Sequence, residues 1–387
     1  MNRKIFIAGS GGIGEAAAIL IREWSDFETE LFLGDIRGEN LIKTKNLVLQ
    51  NSQITSKVET ILMSPDGIND KMKAAFQQAD VLLDCSPGSQ APRMARFAKD
   101  FKMHYANLTE YVAETDEIIE LAKNAETGFV LQTGLAPGFV NVLAMSLYQN
   151  FERQFGIEKV EKIGMKVGAL TAHAHSPHFY GFTWSPIGVA TEYVKNSRVI
   201  QDYEIRQVPA LSERETIIIG GRTYEADLTS GGAADLPEFF RGKSRNLDYK
   251  TLRHVGHYAW VESVMEEFAK DIVDRKLRPD PDLSNKLLAV FLEKIPAVEN
   301  DFVLVHASVE GFDSKGVRRL LEKAFFVEPL EINGHKLRAI QTATAVPLIA
   351  SAMMLLAGNY KGVILQSQIN PSEFLQDKFV SKIYKDN

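Results

Sequence analysis

The first 140 residues of the chain contain two kinds of apolar pattern, one typical of strands and one typical of helices. Residues 5–8 form an uninterrupted apolar run, which is typical of a strand buried on both faces of a parallel sheet. Residues 15–21 are rich in alanine, isoleucine and leucine and predict a helix. Further strands are predicted at 30–34, 57–63, 81–84, 104–107 and 129–132, and further helices at 39–50, 68–78, 89–101 and 114–125. Strands that alternate with helices in this way predict an α/β fold with a doubly wound parallel sheet.

From about residue 141 the pattern changes. Strand-like runs at 163–167 and 216–219 lie among longer irregular stretches, which predicts a second α/β domain with a mixed sheet for the substrate. An apolar helix from about residue 340 and a short run at 362–364 are expected to pack back on the first domain. We therefore predict a first domain of residues 1–140 plus about 341–387, and a second domain of residues 141–340.

A glycine-rich turn links the first predicted strand to the first predicted helix. Gly9 permits the tight turn, Gly11 lets the backbone approach a pyrophosphate, and Gly14 lets the helix pack closely on the strand. In this position the turn indicates a Rossmann-type dinucleotide site rather than a turn in a fold that binds no nucleotide. The predicted cofactor contacts of the turn are Gly9, Ser10, Gly11, Gly12, Ile13 and Gly14.

The second predicted strand leads into Asp35, followed by Ile36. An acidic side chain there can accept hydrogen bonds from the adenosine ribose hydroxyls and would repel a 2′-phosphate. NAD is therefore favoured, although Arg37 could accept that phosphate and leaves NADP possible.

Ligands of doubly wound sheets bind beyond the carboxyl ends of the strands, which draws attention to the strand-end loops. The alternative for each loop is a turn chosen for its geometry alone. The predicted cofactor contacts in these loops are Cys85, Ser86, Pro87, Gly134, Pro137 and Gly138. The helix that starts near Phe139 is expected to offer free amides to a carboxylate or to the nicotinamide amide. We interpret Cys85 as a small apolar filler, since nothing places a base beside it.

Composition and charge bear on the partners and the cellular compartment that we expect for this protein. The chain has 387 residues, a net charge of −6 and one cysteine, which argues against a nucleic-acid or membrane partner and for a reducing cytoplasm. The first strand begins almost at once, so no signal peptide is expected. The apolar stretch 343–357 is short for a membrane span and contains Pro347, and we expect a buried helix.

Four further motifs follow the glycine turn along the chain: Gly134–Asn141, Thr183–Pro186, Thr229–Gly232 and Tyr249–His257. Together with the glycine turn, they resemble the saccharopine dehydrogenase family, which includes lysine 6-dehydrogenases and carboxynorspermidine dehydrogenases. The resemblance implies a nicotinamide-dependent oxidoreductase that acts on a carbon–nitrogen bond of an amino acid or polyamine derivative. It also implies a dinucleotide domain completed by C-terminal residues, and an α/β domain for substrate and dimer contacts.

Two positions depart from the family. Saccharopine reductases tend to carry an arginine just after the Trp-Ser-Pro motif, where this chain has Ile187, so saccharopine is disfavoured as the substrate. Many relatives have an aspartate where Asn107 stands.

Oxidation of an amine needs a nearby base to deprotonate the nitrogen. The candidate catalytic residues are Glu110, Tyr249 and His257. The candidate substrate-binding residues are Thr183, Trp184, Ser185, Ser230, Gly231, Lys250 and Arg253. Lys250 and Arg253 are interpreted as carboxylate clamps. Ser230 is expected to cap a helix through 233–240, either as plain capping or with that helix end on a substrate carboxylate.

Three histidines, His173, His175 and His178, are the strongest competing signal. Their spacing around a proline fits no zinc motif, so no metal is predicted and a hydrolase is a rival only. We predict a cytoplasmic NAD-dependent amino-acid dehydrogenase, a homodimer acting on a lysine-like amine. The alternatives are a saccharopine or carboxynorspermidine dehydrogenase, or a cofactor-binding sensor without turnover.

Overall fold

The computed structural model describes residues 2–50, 56–269 and 282–385. These residues form two compact units. The first extends through Val142 and takes in Leu330–Leu337 and Gln341–Lys385. The second comprises the described residues of Leu143–Pro329 together with Arg338–Ile340. Residues 330–337, which the sequence assigned to the second domain, therefore belong to the first unit.

Strands and helices alternate through the first part of the chain, as its apolar pattern predicts. They are β1 (Arg3–Ala8), α1 (Gly12–Trp24), β2 (Thr29–Asp35), α2 (Gly38–Leu49), β3 (Val58–Leu62), α3 (Asp70–Phe76), β4 (Val81–Asp84), α4 (Ala91–Asp100), β5 (His104–Asn107), α5 (Val112–Ala122), β6 (Gly128–Val130) and α6 (Phe139–Phe155). The strand predicted at 129–132 ends earlier, and Gln132 has a left-handed φ of 59° that no regular strand adopts.

The middle of the chain contains longer strands and fewer helices. They are β7 (Val160–Thr171), α7 (Pro186–Glu192), β8 (Ser197–Gln201), β9 (Glu204–Val208), β10 (Glu215–Ile219), β11 (Arg222–Leu228), α8 (Leu236–Phe240), β12 (Ser244–His254), α9 (His257–Ala269), α10 (Leu283–Lys294), β13 (Asp301–Phe312), β14 (Arg318–Val327), β15 (Leu330–Ile332) and β16 (His335–Leu337). The prediction of a helix over 233–240 is wrong in its start, because α8 begins at Leu236.

The last part of the chain is mainly helical. It consists of α11 (Ala339–Ala357), β17 (Gly362–Ile364), α12 (Pro371–Gln376) and α13 (Lys378–Ile383). Helix α11 is long and apolar enough to cross a membrane, but 83% of its most apolar window is buried inside the structure. It is the buried helix that the sequence predicts.

The first unit contains a seven-stranded sheet in the order β17-β6-β5-β4-β1-β2-β3. Every pair in it is parallel. The order reverses between β1 and β4, and ligands of such sheets bind at that switch point, beyond the carboxyl ends of the strands. Buried Phe6, Leu82, Tyr105 and Phe129 belong to the core on one side of the sheet. The predicted fold class is thereby confirmed for this unit.

The second unit contains an eight-stranded mixed sheet. Its main path is β10-β11-β12-β7-β13-β14, with β8 and β9 attached through β12. Strand β12 pairs parallel with β7 and antiparallel with β11, so the sheet is mixed as predicted. Because β12 is central and buried, its side chains lie in the interior on both faces.

Candidate cofactor and substrate sites

The glycine turn of the first unit is built around close backbone contacts. Gly9 has a φ of +88°, and a Cβ added there would lie 2.7 Å from the Cys85 carbonyl oxygen. A Cβ on Gly14 would lie 1.8 Å from the Gly9 carbonyl oxygen, so α1 can approach the turn only with glycine there. Gly11 has no neighbouring atom within 4 Å of its Cβ position, which leaves its outer face open. This cradle fits the pyrophosphate of a dinucleotide.

Asp35 lies at the carboxyl end of β2, beside that turn. Its carboxylate accepts hydrogen bonds from the Ser10 amide (2.8 Å), the Arg37 amide (2.8 Å) and Asn40 Nδ2 (3.2 Å). The acid is therefore held in one orientation next to the glycine turn. Ile36 is more than half exposed beside it. The arrangement fits a group that accepts hydrogen bonds from ribose hydroxyls.

The loop after β4 contains the predicted cofactor residues Cys85, Ser86 and Pro87. Both the amide and the hydroxyl of Ser86 donate to Asp84, and the amide distance is 3.0 Å. Burial and the neighbouring Asp84 raise the pKa of Cys85, which keeps the thiol protonated. This agrees with its interpretation as a filler rather than a nucleophile.

The loop before α6 differs from the expectation in one respect. The amide of Gly138 donates to Asn141 Oδ1 (2.7 Å), and that of Phe139 donates to the Gly134 carbonyl (2.8 Å). The amide of Val140 donates to the Leu135 carbonyl (3.2 Å). The prediction that this helix start offers free amides is therefore wrong. Gly134, Pro137 and Gly138 remain predicted neighbours of the nicotinamide through their position after β6.

Strand β12 presents two of the predicted substrate residues, Lys250 and Arg253, on opposite faces, because side chains alternate along a strand. Lys250 Nζ donates to the Glu213 carbonyl (2.6 Å) and lies 3.1 Å from Glu215 Oε1. Arg253 is three residues further on and lies among tyrosines instead. An odd spacing places the two predicted carboxylate clamps on different faces of β12, so they do not face one common site.

Arg253 is a buried cation, with 1% of its surface exposed. Its guanidinium lies 4.7 Å from the ring centre of Tyr180 and 5.6 Å from that of Tyr193. Nε donates to the Tyr193 hydroxyl (2.6 Å) and Nη1 to the Leu252 carbonyl (3.0 Å). Nη2 is buried with no hydrogen-bond partner, and the described residues place no carboxylate within 4 Å of the guanidinium. Glu192 supplies a negative charge that acts on this guanidinium. Nη2, which has no hydrogen-bond partner among the described residues, suits an anionic group from a ligand.

His257 begins α9, three residues after β12 ends. Gly256 makes this short connection possible with a φ of +97°. Nδ1 of His257 lies 2.7 Å from the His178 carbonyl, and Nε2 lies 3.0 Å from the Tyr193 hydroxyl. Burial and then the charge of Arg253 lower the pKa of His257 to about 3. With both nitrogens engaged, this geometry favours a positioning role over the predicted role of base.

Tyr249 lies on the same face of β12 as Arg253. A Cβ on Gly232 would lie 2.3 Å from the Tyr249 ring, so the Gly-Gly pair after Ser230 gives room for the tyrosine. Burial raises the pKa of Tyr249, so its hydroxyl keeps its proton near neutral pH. It is suited to donate a hydrogen bond and poorly suited to act as a base.

The remaining predicted substrate residues have mixed outcomes. Ser185 caps α7, where its hydroxyl accepts from the Gly188 amide (3.3 Å), and the ring of Trp184 packs at Gly188. Thr183 Oγ1 is buried and has no hydrogen-bond partner in the described part of the chain. The prediction that Ser230 caps a helix is wrong, because Asp235 occupies the position before α8.

The predicted base Glu110 lies in the first unit, where it is half-buried in the loop after β5. His173 and His175 are not buried, and the described residues contain no group of three potential ligands arranged for a metal ion.

Sequence reasoning missed Tyr180 and Tyr193, which have no local motif and are recognisable only through their contacts with Arg253.

Comparison with known proteins gives two family matches that together span most of the chain. The profile described as the saccharopine dehydrogenase NADP binding domain matches residues 5–131. The profile described as the saccharopine dehydrogenase C-terminal domain matches residues 134–384. The first unit is thus an NAD(P)-binding domain, in agreement with its glycine turn.

Curated relatives are similar over shorter stretches. Mitochondrial alpha-aminoadipic semialdehyde synthase of Rattus norvegicus is 24% identical over 183 residues, 42% of this chain. Alpha-aminoadipic semialdehyde synthase of Arabidopsis thaliana is 28% identical over 135 residues, 34% of this chain. The matched stretches span only 19% and 12% of these two proteins.

Solved structures share the fold over nearly the full length. Saccharopine dehydrogenase (L-Glu forming) of Saccharomyces cerevisiae has a TM-score of 0.70 at 15% identity, covering 99% of this chain and 98% of that one. Homospermidine synthase of Legionella pneumophila, solved with NAD, has a TM-score of 0.66 at 11% identity, covering 100% and 90%. At such identities the likeness concerns the fold alone.

Proposed function

This chain belongs to the saccharopine dehydrogenase family, and we propose that it is a nicotinamide-dependent oxidoreductase acting on a carbon–nitrogen bond of an amino acid. The observation that carries the proposal is the buried guanidinium of Arg253, whose Nη2 has no hydrogen-bond partner among the described residues. A carboxylate is the anion that suits such a group best, since the planar guanidinium matches its geometry. The substrate is therefore an amine that also carries a carboxylate.

The first unit holds the cofactor in this proposal. The turn from Gly9 to Gly14 receives the pyrophosphate, and Asp35 receives the ribose hydroxyls of the adenosine. Bound NAD or NADP supplies the acceptor or donor of a hydride. The orientation of Asp35 supports NAD over NADP, because its carboxylate would repel a 2′-phosphate.

The second unit holds the substrate. Arg253 binds the carboxylate and thereby orients the carbon that exchanges a hydride. The amine must also lose a proton, and Glu110 remains our candidate for that base. Tyr249, which keeps its proton, donates a hydrogen bond.

Two observations support our proposal for the amine, namely a departure from the family at one position and the names of the relatives. Ile187 stands where saccharopine reductases tend to have an arginine, which supports a substrate with fewer carboxylates than saccharopine. The relatives' names refer to aminoadipic semialdehyde, saccharopine and homospermidine. We infer a lysine-like amine, oxidised to an imine or formed by the reverse reduction.

The first experiment measures reduction of NAD and of NADP at alkaline pH. The substrates are L-lysine, saccharopine and a carboxylated polyamine, each tested separately. Turnover with L-lysine and NAD supports the proposal as stated, and turnover with another amine corrects the substrate. If NAD raises the melting temperature but no amine is oxidised, the sensor alternative replaces the proposal.

Substitution of Arg253 tests the observation itself. In Arg253→Met we expect the KM for the amine to rise about 100-fold, because a buried charge-assisted contact is lost. Arg253→Lys keeps the charge but loses the planar fork, and we expect an intermediate KM. Unchanged KM values in both folded variants would contradict the role of Arg253.

We further propose a homodimer in the cytoplasm, with a small-molecule substrate. Strand β14 supports the dimer, since it lies at a sheet edge and exposes Leu320, and Val317 is exposed just before it. Light scattering at several protein concentrations tests the dimer. A monomer at all of them would contradict it.

A further inference from the structure

Arg253 reaches its position through groups that are not expected to touch the substrate. Two of its donors are already used, Nε by the Tyr193 hydroxyl (2.6 Å) and Nη1 by the Leu252 carbonyl (3.0 Å). The rings of Tyr180 and Tyr193 lie against the guanidinium. The only buried guanidinium nitrogen of Arg253 without a partner among the described residues is Nη2. The contacts of Nε with Tyr193 and of Nη1 with the Leu252 carbonyl together set the direction in which Nη2 points.

The protons of this chain of hydrogen bonds can be assigned in order. A carbonyl oxygen only accepts, so Nδ1 of His257, at 2.7 Å from the His178 carbonyl, carries a proton. In the neutral ring Nε2 is then an acceptor, and the Tyr193 hydroxyl donates to it over 3.0 Å. The lone pairs of the tyrosine oxygen are therefore left for Arg253 Nε–H.

The hydrogen bond with His257 Nε2 fixes the rotation of the Tyr193 hydroxyl, whose oxygen accepts from Arg253 Nε. If Nε2 carried a proton, it would compete with Arg253 Nε–H for the same tyrosine oxygen. It would also place a second positive charge near the guanidinium of Arg253. The charge of Arg253 and the burial of the ring both favour neutral His257.

We propose that His257 and Tyr193 are positioning residues that orient Arg253, so that Nη2 is presented to a substrate carboxylate. This inference rests on the proposed function, in which Arg253 binds that carboxylate. Neither residue is assigned a contact with the substrate. In this proposal the His178 carbonyl fixes His257, His257 orients the Tyr193 hydroxyl, Tyr193 orients Arg253, and Arg253 binds the ligand.

The test measures L-lysine binding to the NAD-loaded protein by calorimetry, together with KM and kcat. Tyr193→Phe and His257→Leu are expected to weaken binding and raise KM about tenfold with little change in kcat, as the loss of one buried hydrogen bond implies. His257→Gln can place an amide oxygen near the site of Nε2, and it is expected to recover most of the affinity.

Matched controls separate this effect from a general loss of packing. Tyr224→Phe and His306→Leu alter buried residues of the same unit that do not touch Arg253. They are expected to lower the melting temperature without raising KM. If His257→Leu and Tyr193→Phe behave like these controls, the positioning role is overturned.

Two further outcomes keep the proposals distinguishable. If Arg253→Met binds L-lysine as well as the unaltered protein, the proposed function of Arg253 fails as well. If Arg253→Met loses binding while both positioning variants retain it, only the present inference fails.

Nitrogen NMR of the unaltered protein gives a test that needs no variant to fold. We expect His257 to show the Nδ1–H tautomer at pH 7, and the Nε2–H tautomer would overturn the assignment.

Discussion

The Tyr105 hydroxyl donates a 2.7 Å hydrogen bond to Asp84, and both residues are buried on neighbouring parallel strands. Asp84 ends β4, just before the loop predicted to border the nicotinamide. Burial raises the pKa of Asp84 to about 6, although its bonds with Ser86 and Tyr105 act in the opposite direction. A buried carboxyl group at the end of β4 therefore has a pKa of about 6.

The raised pKa makes a prediction about stability. Between its ordinary value of 3.8 and about 6, Asp84 binds a proton in the folded chain but not in the unfolded one. Its contribution to the free energy of unfolding therefore falls as pH rises through 6, by up to about 3 kcal/mol. Asp84→Asn lacks this titration, so its stability relative to the unaltered protein should increase between pH 4 and pH 8 in urea unfolding.

Asp116→Asn is a suitable control for this experiment, because Asp116 is exposed on α5. Its stability relative to the unaltered protein should stay constant over the same pH range. A constant difference for Asp84→Asn as well would show that Asp84 does not titrate near pH 6.

The glycine turn gives a prediction with an internal control. Gly14→Ala places a Cβ 1.8 Å from the Gly9 carbonyl, and we expect the free energy of unfolding to fall by about 2 kcal/mol or more. Gly11→Ala meets no atom within 4 Å and should leave stability nearly unchanged. It should still weaken NAD binding in calorimetry, because its methyl group faces the place of the pyrophosphate. Equal stability of both variants would contradict the packing argument.

Asp35 is predicted to set the choice of cofactor. In Asp35→Ala we expect the Kd for NAD to rise about tenfold, since one charge-assisted contact with the ribose is lost. The Kd for NADP should change less or fall, because the repulsion of the 2′-phosphate is removed. Glu39→Ala removes an exposed acid of α2 and serves as the control. An unchanged ratio of the two Kd values in Asp35→Ala would refute this role.

Substitution of Lys250 is expected to have little effect on the KM for the amine, in contrast to substitution of Arg253. Its side chain lies with Glu213 and Glu215 on the other face of β12, so Lys250→Met should leave the KM for the amine within about twofold. Stability should fall, because Glu215 loses one of two lysine partners. A large rise in KM at unchanged stability would instead indicate that Lys250 contacts the substrate.

The sequence predicts the first unit well for a physical reason. Strand β1, the turn at Gly9 and helix α1 are consecutive, and their apolar runs and glycines act locally. The same holds for Asp35, whose place at the end of β2 follows from the strand that precedes it. Loops are less predictable, since Asn141 takes up the Gly138 amide through a side-chain contact that no motif announces.

The second unit depends on contacts between distant parts of the chain. Tyr193 and His257 are 64 residues apart, and their hydrogen bond is visible only after α7 and α9 have been placed. The division of Lys250 and Arg253 between two faces was available from strand alternation once β12 was known to be a strand. The sequence motif instead suggested one polar cluster.

The pairing of β17 with β6 bears on the order in which this protein can be made. A ribosome releases the strands from β1 to β6 early, but the strand that covers the β6 edge emerges only after the entire second unit. Until then a nascent chain carries an unpaired sheet edge, which invites pairing with other chains. Expression of the N-terminal unit alone therefore requires the C-terminal segment to be joined back to it, for example by a circular permutation.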